Sequence, residues 1–203
     1  MTNDRNLIQC ATTAGKPVMG ASGVPTRLGT TVLGRVKATV FRRDLWRVQG
    51  RDVTLGVVER PPAVGVVPIR GNGCGVELLL IRQSRPAVGG WVTEIVAGKV
   101  DSGEDARSAA RRELAEEAGL QASVFIQITP VPLLVSPGYS SELMTLFVAK
   151  KLTEVGRRPE DEHIECEWVT LSDALARVRC GELTDTKSII AVLLIAQLDE
   201  TNK

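Results

Sequence analysis

Histidine is almost missing from this 203-residue chain, with His163 the only one. That excludes His-rich zinc sites and argues against a Ser-His-Asp hydrolase. Acid–base chemistry, if there is any, has to rest on carboxylates, lysine or a metal-bound water. Aromatic residues make up only 3%, so stacking platforms for single-stranded nucleic acid are scarce. Neither sign of charge dominates: 25 basic residues face 24 acidic ones, a net +1 with no basic field to hold a phosphate backbone. No nucleic-acid partner is expected. Long hydrophobic runs are also lacking. The longest, from Ile189 to Ala196, is too short to cross a bilayer and reads as part of a buried helix, so no membrane partner is expected either. Cysteine is sparse, and Cys10, Cys74, Cys166 and Cys180 form no CxxC pair, which fits reduced thiols in the cytoplasm rather than a disulfide framework. The opening MTNDRNLIQCATTAGK shows no charged region followed by an apolar one, and no secretory signal is expected.

What is present divides into three stretches. Residues 1–26 are rich in Thr, Gly, Ala, Asn and Ser without periodicity and read as a flexible segment. Residues 27–58 hold short β-like runs, TTVLGRVKATVF, LWRV and DVTLGVV, broken at Arg42-Arg43-Asp44 and Gln49-Gly50-Arg51-Asp52. A sheet of that size buries little core alone and must lean on something larger. After Pro61-Pro62, residues 59–203 mix strands and helices. AVGVVPI and VELLLIRQ read as strands around a Gly71-Asn72-Gly73 turn, followed by strands at Trp91–Val96, Val124–Ile128, Glu142–Ala149 and Glu165–Val169. Helices are expected over Ser102–Ala118, Leu171–Val178 and Thr186–Leu198. Ser102 with Asp105 suggests a capping box, Gly119 is a natural stop, and Ala106, Ala110, Leu114 and Ala118 give a face of small residues able to lie close to a sheet. The reading is α+β: an α/β/α sandwich behind a small N-terminal antiparallel β-domain.

Chemistry concentrates in GKVDSGEDARSAARRELAEEAGL, from Gly98 to Leu120. Glu113, Glu116 and Glu117 stand at i, i+3 and i+4, so a helix projects all three carboxylates from one face. Arg112 can pair with Glu116, but one arginine cannot neutralise three glutamates. A hard divalent cation can, and clustered carboxylate oxygens suit Mg²⁺, or Mn²⁺ as a substitute, better than zinc. Because magnesium keeps waters and completes its shell with phosphates, such a site points to a phosphate-bearing substrate. An isolated AEEA would be read instead as the solvated face of a surface helix.

Spelled out, the segment is Gly98, five residues, Glu104, seven residues, Arg112-Glu113-Leu114, one residue, Glu116-Glu117, one residue, Gly119-Leu120. This resembles the Nudix hydrolase signature at every fixed position. Seven fixed residues at roughly 1 in 15 each match by chance about 10⁻⁸ of the time, which sets the surface-helix reading aside. The resemblance implies hydrolysis of a nucleoside diphosphate linked to another group. It makes Glu113 and Glu117 metal ligands, Glu116 a ligand of a second ion or its waters, and the Ala97 carbonyl a further ligand. Glu104 and Arg112 hold the loop, and Gly98 and Gly119 serve backbone turns.

Outside this segment, Arg82-Gln83-Ser84-Arg85-Pro86, Glu94-Ile95-Val96-Ala97-Gly98-Lys99, Ser136-Pro137-Gly138-Tyr139-Ser140-Ser141-Glu142 and Asp185-Thr186-Lys187-Ser188-Ile189-Ile190 resemble the ADP-ribose pyrophosphatase subfamily. The likeness spans about residues 55–198. It implies a nucleotide-sugar substrate and a homodimer in which the β-domain helps frame the pocket. Arginine clamps phosphate oxygens well, which favours Arg85, and less strongly Arg82, as a substrate contact. Glu94 is implied at the substrate, its bland alternative being a solvent-facing strand residue. Pro137 and Gly138 are implied to bound the substrate, against a plain turn. In Arg157–Glu165, alignment puts Glu160 at the general base and Glu162 at a further metal contact, with His163 an alternative base. Phe41 and Trp46 could stack on a base or fill core. Ile95-Val96 departs from the Leu-Pro or Val-Pro of many relatives. Other readings are a pyrophosphatase for another nucleoside diphosphate sugar, such as GDP-mannose or ADP-glucose, or a non-catalytic ADP-ribose-binding module.

Overall fold

A computed structural model describes residues 24–72, 75–155 and 164–200. Most of the N-terminal segment expected to be flexible lies outside them. Three strands come first: β1 (Thr26–Val36), β2 (Thr39–Val48) and β3 (Arg51–Glu59), paired antiparallel in that order. The β2–β3 connection is a two-residue turn in which Gln49 and Gly50 take φ of 50° and 76°. Positive φ at both central residues matches the right-handed twist of the flanking strands, and glycine reaches it without a steric cost. Asp44 is fully buried on this sheet, where it accepts a hydrogen bond from the Thr30 hydroxyl at 3.0 Å and forms an ion pair with the Arg42 Nε at 3.4 Å.

The rest of the chain runs β4 (Ala63–Asn72), β5 (Gly75–Arg85), β6 (Gly90–Glu94), β7 (Val96–Lys99), α1 (Ala106–Ala118), β8 (Leu120–Gln127), β9 (Leu133–Leu134), β10 (Leu143–Glu154), β11 (Glu165–Thr170), α2 (Leu171–Cys180) and α3 (Thr186–Glu200). The main sheet has the order β11-β5-β4-β10-β8, with β4 and β10 parallel and the other pairs antiparallel. Side-chain alternation sorts its residues into two cores. Leu78, Leu80, Leu146 and Val148 pack under α2 and α3, whereas Leu79, Ile81, Phe147 and Ala149 pack under α1. Both faces are covered, which is why β4, β5 and β10 read as continuous apolar runs. This is the expected α+β sandwich with a mixed sheet behind a small antiparallel one.

Two sequence boundaries shift. The helix expected from Ser102 begins at Ala106, because Asp105 is the N-cap and its carboxylate accepts the Ser108 N–H at 2.8 Å. The strand expected over Trp91–Val96 changes partner midway. Residues of β6 pair with β5, residues of β7 pair with β4, and Ile95 stands at the crossing. The Gly119 stop is as expected, with φ of 64° and its N–H on the Ala115 carbonyl at 3.1 Å.

Helix α1 lies close to the sheet because Ala109, Ala110 and Ala118 keep its contact face low and Leu114 fills the middle. Leu114 is fully buried, so Leu114→Ala should lower the unfolding free energy by about 3 kcal/mol in chemical denaturation, through lost burial and the cavity left behind.

Candidate active site

The alignment of α1 against β7 determines the site. Leu114 and Ala118 face the core, and the same helical turns carry Glu113 and Glu117 toward β7. Both glutamates are buried, at 9% and 7% exposure, while Glu116 one turn outward is exposed. Glu117 accepts the Ala97 N–H at 3.0 Å, which ties the helix to the strand directly beside the Ala97 carbonyl.

Gly98 has a different purpose from the turn expected of it. It lies within β7, its φ is outside the left-handed region, and the Glu113 carboxylate occupies the space a Cβ would fill. Glycine is needed there to admit the side chain of Glu113.

Arg112 organises the loop before the helix. Its Nε and one terminal nitrogen grip both oxygens of Glu104 at 3.2 and 2.9 Å, and the same terminal nitrogen donates to the Lys99 carbonyl at 2.8 Å. Its other terminal nitrogen reaches Glu113 at 2.7 Å and Glu116 at 3.2 Å. The Glu104 bond, opposed by partial burial and reinforced by Glu113, raises the Arg112 pKa further above its ordinary range. The same bond, with the Asp101 N–H, holds the Glu104 carboxyl below the usual carboxylate range. With the Asp101 carboxylate 3.7 Å from the same guanidinium, four carboxylates surround Arg112. Among the described residues no three carboxylate, cysteine or histidine side chains converge on one point, since Arg112 draws Glu113 and Glu116 while Glu117 turns to Ala97.

A second cluster adjoins the first. Glu94 is 1% exposed, which overturns the solvent-facing alternative. It accepts from the Arg85 Nε at 2.7 Å and from Lys187. Burial acts to lower the pKa of Arg85, but Glu94, Glu117 and Asp185 together hold it above its usual value, and of these Glu117 belongs to α1. Arg82 stands apart. Three residues from Arg85 on one strand, it projects from the opposite face, pairs with Glu165 at 3.2 Å and lies over the Trp91 ring at 5.4 Å.

Ser136–Ser140 form a turn in which the Tyr139 and Ser140 N–H groups both bond the Ser136 carbonyl, leaving Pro137 and Gly138 exposed. This turn is attached to the small sheet: Val58 bridges Ser140 in parallel, its N–H bonds the Tyr139 carbonyl at 2.7 Å, and its carbonyl accepts from Ser141 at 3.1 Å. A cavity of about 590 Å³ lined by Arg70, Lys150, Lys151 and Trp168 opens at the far end of β4 and contains none of these residues.

Residues 59–188, well over half the chain, match the family described as NUDIX domain. The chain belongs to the NUDIX family. Similar proteins include an ADP-ribose pyrophosphatase of Mycobacterium tuberculosis (strain ATCC 25618 / H37Rv), 38% identical over 161 residues that cover 76% of this chain and 75% of the relative. Another is an ADP-ribose pyrophosphatase of Bacillus subtilis (strain 168), 34% identical over 156 residues, covering 75% and 82% respectively. Among solved structures, a crystal structure of an ADP compounds hydrolase superposes with a TM-score of 0.78 at 22% identity, covering 90% of this chain and 98% of that one, a likeness of fold.

On this NUDIX framework the structure brings together Arg85, Glu94, Ala97, Glu113, Glu116 and Glu117, and places Arg82 on the other face of β5. Glu160, Glu162 and His163 lie outside the described residues. Phe41 is 41% exposed rather than core, and Trp46 is half-buried with the Arg27 guanidinium 6.0 Å from its ring. Sequence reasoning assigned no part to Lys187 and Ser188, although both stand in a quoted motif. Their signal is spatial, since each touches a residue 93 positions away.

Proposed function

We propose that this NUDIX protein hydrolyses the diphosphate of ADP-ribose, with Mg²⁺ or Mn²⁺, to AMP and ribose 5-phosphate. The observation that carries the reading is the Arg85 guanidinium, fixed by buried Glu94 three residues before Ala97, whose N–H bonds Glu117, so that an anion clamp is anchored on the stretch of chain to which Glu117 of α1 is tied. The two pyrophosphatases named above act, by their names, on ADP-ribose.

A divalent ion fits the donor set. Glu113 and Glu117 are carboxylates held almost out of water, Gly98 is kept bare for one of them, and hard oxygens are what magnesium takes. Glu113, Glu116, Glu117, the Ala97 carbonyl and Glu162 would hold it. When bound, such an ion lowers the pKa of water and neutralises phosphate charge.

The chain's own side chains do the rest. Arg85 binds phosphate oxygens and sets the diphosphate against α1. Arg112 and Glu104 fix the loop so that Glu113 keeps its place. Pro137 and Gly138 bound the substrate from the far side, while Arg82, pointing away, contributes charge only at a distance. Glu160 accepts the proton of the attacking water as oxygen bonds to phosphorus and the bridging P–O bond breaks. Residues 27–58 serve as a dimerisation and substrate-framing unit in the cytoplasmic homodimer. The exposed Leu33, Val36, Phe41 and Leu45 of the small sheet support this, as apolar area that a second copy would cover.

The test is hydrolysis with and without Mg²⁺ across ADP-ribose, ADP-glucose, GDP-mannose, UDP-glucose, NADH and diadenosine polyphosphates, with products resolved by chromatography. ADP-ribose should be preferred and should yield AMP and ribose 5-phosphate. Preference for another sugar discards the substrate, and tight ADP-ribose binding without turnover on any compound makes the protein a sensor. Light scattering on the same sample should report a dimer, and a fully active monomer overturns the shared pocket.

A further inference from the structure

Asp185-Thr186-Lys187-Ser188, at the start of α3, plays no part in the mechanism above, yet it grips the strand leading to the metal loop at two points. The first is a backbone contact. Ile95 stands where one strand leaves β5 for β4, and its N–H donates to the buried Ser188 Oγ at 2.8 Å. Ser188 in turn donates to Asp185 through both Oγ and its N–H. The second is ionic. Lys187, with 15% of its side chain exposed, donates to Oε2 of Glu94 and, at 2.9 Å, to Oδ1 of Asp185.

This arrangement decides how Glu94 meets Arg85. A carboxylate and a guanidinium left to themselves form a two-point fork, with both oxygens on two nitrogens. Here Lys187 holds Oε2, and Arg85 meets Glu94 through one hydrogen bond, from Nε to Oε1. Among the described residues the terminal nitrogens of Arg85 make no hydrogen bond to a carboxylate, and the Arg85 side chain is 42% exposed while that of Glu94 is 2%. Those nitrogens are the ones a diphosphate can use.

We propose that Lys187 is a positioning residue for substrate binding: by occupying one oxygen of Glu94 it keeps the Glu94–Arg85 contact at a single point and reserves the terminal nitrogens of Arg85 for the substrate's phosphates. The proposal rests on the reading of Arg85 as the phosphate contact. Asp185 orients Lys187, and through Ser188 it fixes the Ile95 amide, so one turn of helix sets both the clamp and the strand leading to Ala97. Without Lys187 the freed oxygen of Glu94 turns to Arg85, the fork closes, and the clamp is taken up by its own support.

The experiment compares wild type, Lys187→Met, Lys187→Arg, Arg85→Met and the Lys187→Met/Arg85→Met double variant in the full chain, measuring Mg²⁺-dependent ADP-ribose hydrolysis and thermal unfolding. Binding of α,β-methylene-ADP-ribose in EDTA is followed by calorimetry. Lys187→Met should raise KM about tenfold with kcat within about threefold, weaken analogue binding by a similar factor, and leave Tm within a few degrees. Lys187→Arg should recover most of that loss. In the double variant Lys187→Met should add nothing to Arg85→Met, because the two act through one contact. The proposal is overturned if Lys187→Met leaves KM and analogue affinity unchanged, if it lowers kcat alone, or if its effect adds in full to that of Arg85→Met. If Arg85→Met itself leaves KM unchanged, the phosphate assignment fails and the proposal with it. A wild-type protein that neither cleaves ADP-ribose nor binds the analogue overturns the functional reading at the outset.

Discussion

Gly98→Ala is expected to cost about 100-fold in Mg²⁺-dependent kcat/KM while shifting the melting temperature by no more than about 2 °C. The substitution adds one methyl group and removes no functional atom. That methyl would lie where the Glu113 carboxylate now rests. The carboxylate is the far end of a flexible side chain, so the fold accommodates the methyl by swinging Glu113 aside, and the backbone conformation at Gly98 is one alanine adopts freely. If Glu113 binds the metal as proposed, misplacing it by this route is on the scale of losing an outer-shell partner, about 10–100-fold, or somewhat above it. Steady-state kinetics, Mn²⁺ binding by electron paramagnetic resonance and a thermal melt on one preparation separate the possibilities. Full activity would show that Glu113 is not needed where the structure puts it. A collapse of Tm would show that Gly98 serves the fold after all.

Glu117→Gln is expected to be more severe, at least about 10³-fold in turnover, again with an intact fold. The amide oxygen of glutamine can still accept the Ala97 N–H that Glu117 now accepts at 3.0 Å, so the tie between α1 and β7 survives and only the charge is removed. Glu116→Gln is the natural comparison. That side chain is exposed and shares Arg112 with Glu113, so its loss should cost about tenfold. Turnover of Glu117→Gln within about threefold of wild type would place the metal elsewhere, and equal losses at 116 and 117 would contradict the difference in burial between them.

The carboxylate face could be read from sequence because its information is local: positions 113, 116 and 117 share one side of any helix, and the alanines at 106, 110 and 118 declare the other side. The strands were legible for the same reason, through runs such as ELLLI, while the sorting of their residues into two cores came with the structure. Less visible was whatever depends on where one element meets another. Gly98 looked like a turn because glycines often are, and nothing short of the packing of α1 on β7 reveals that a glutamate fills its missing side chain. Arg82 and Arg85 looked equivalent as neighbouring cations. Strand alternation separates them once β5 is known to run through both without a bulge. Glu94 could face water or core until the register with β5 set it opposite Ile81. The helix start was misjudged by one turn, since Ser102 and Asp105 are both competent caps and only the Ser108 N–H distinguishes them.

The bridge between Val58 and Ser140 bears on how this chain could have been assembled. A front sheet joined to a catalytic body by linker alone could be lost, swapped or borrowed over evolutionary time with little effect on the body. Here the last strand of that sheet hydrogen-bonds on both sides to the turn carrying Pro137 and Gly138, and Arg60 adds a bond to Ser141 and an ion pair with Glu142. Excising the front sheet would strip the turn of its main-chain partners and leave it to water. The two lobes are thus expected to have changed in step, each substitution in β3 being weighed against the loop it supports.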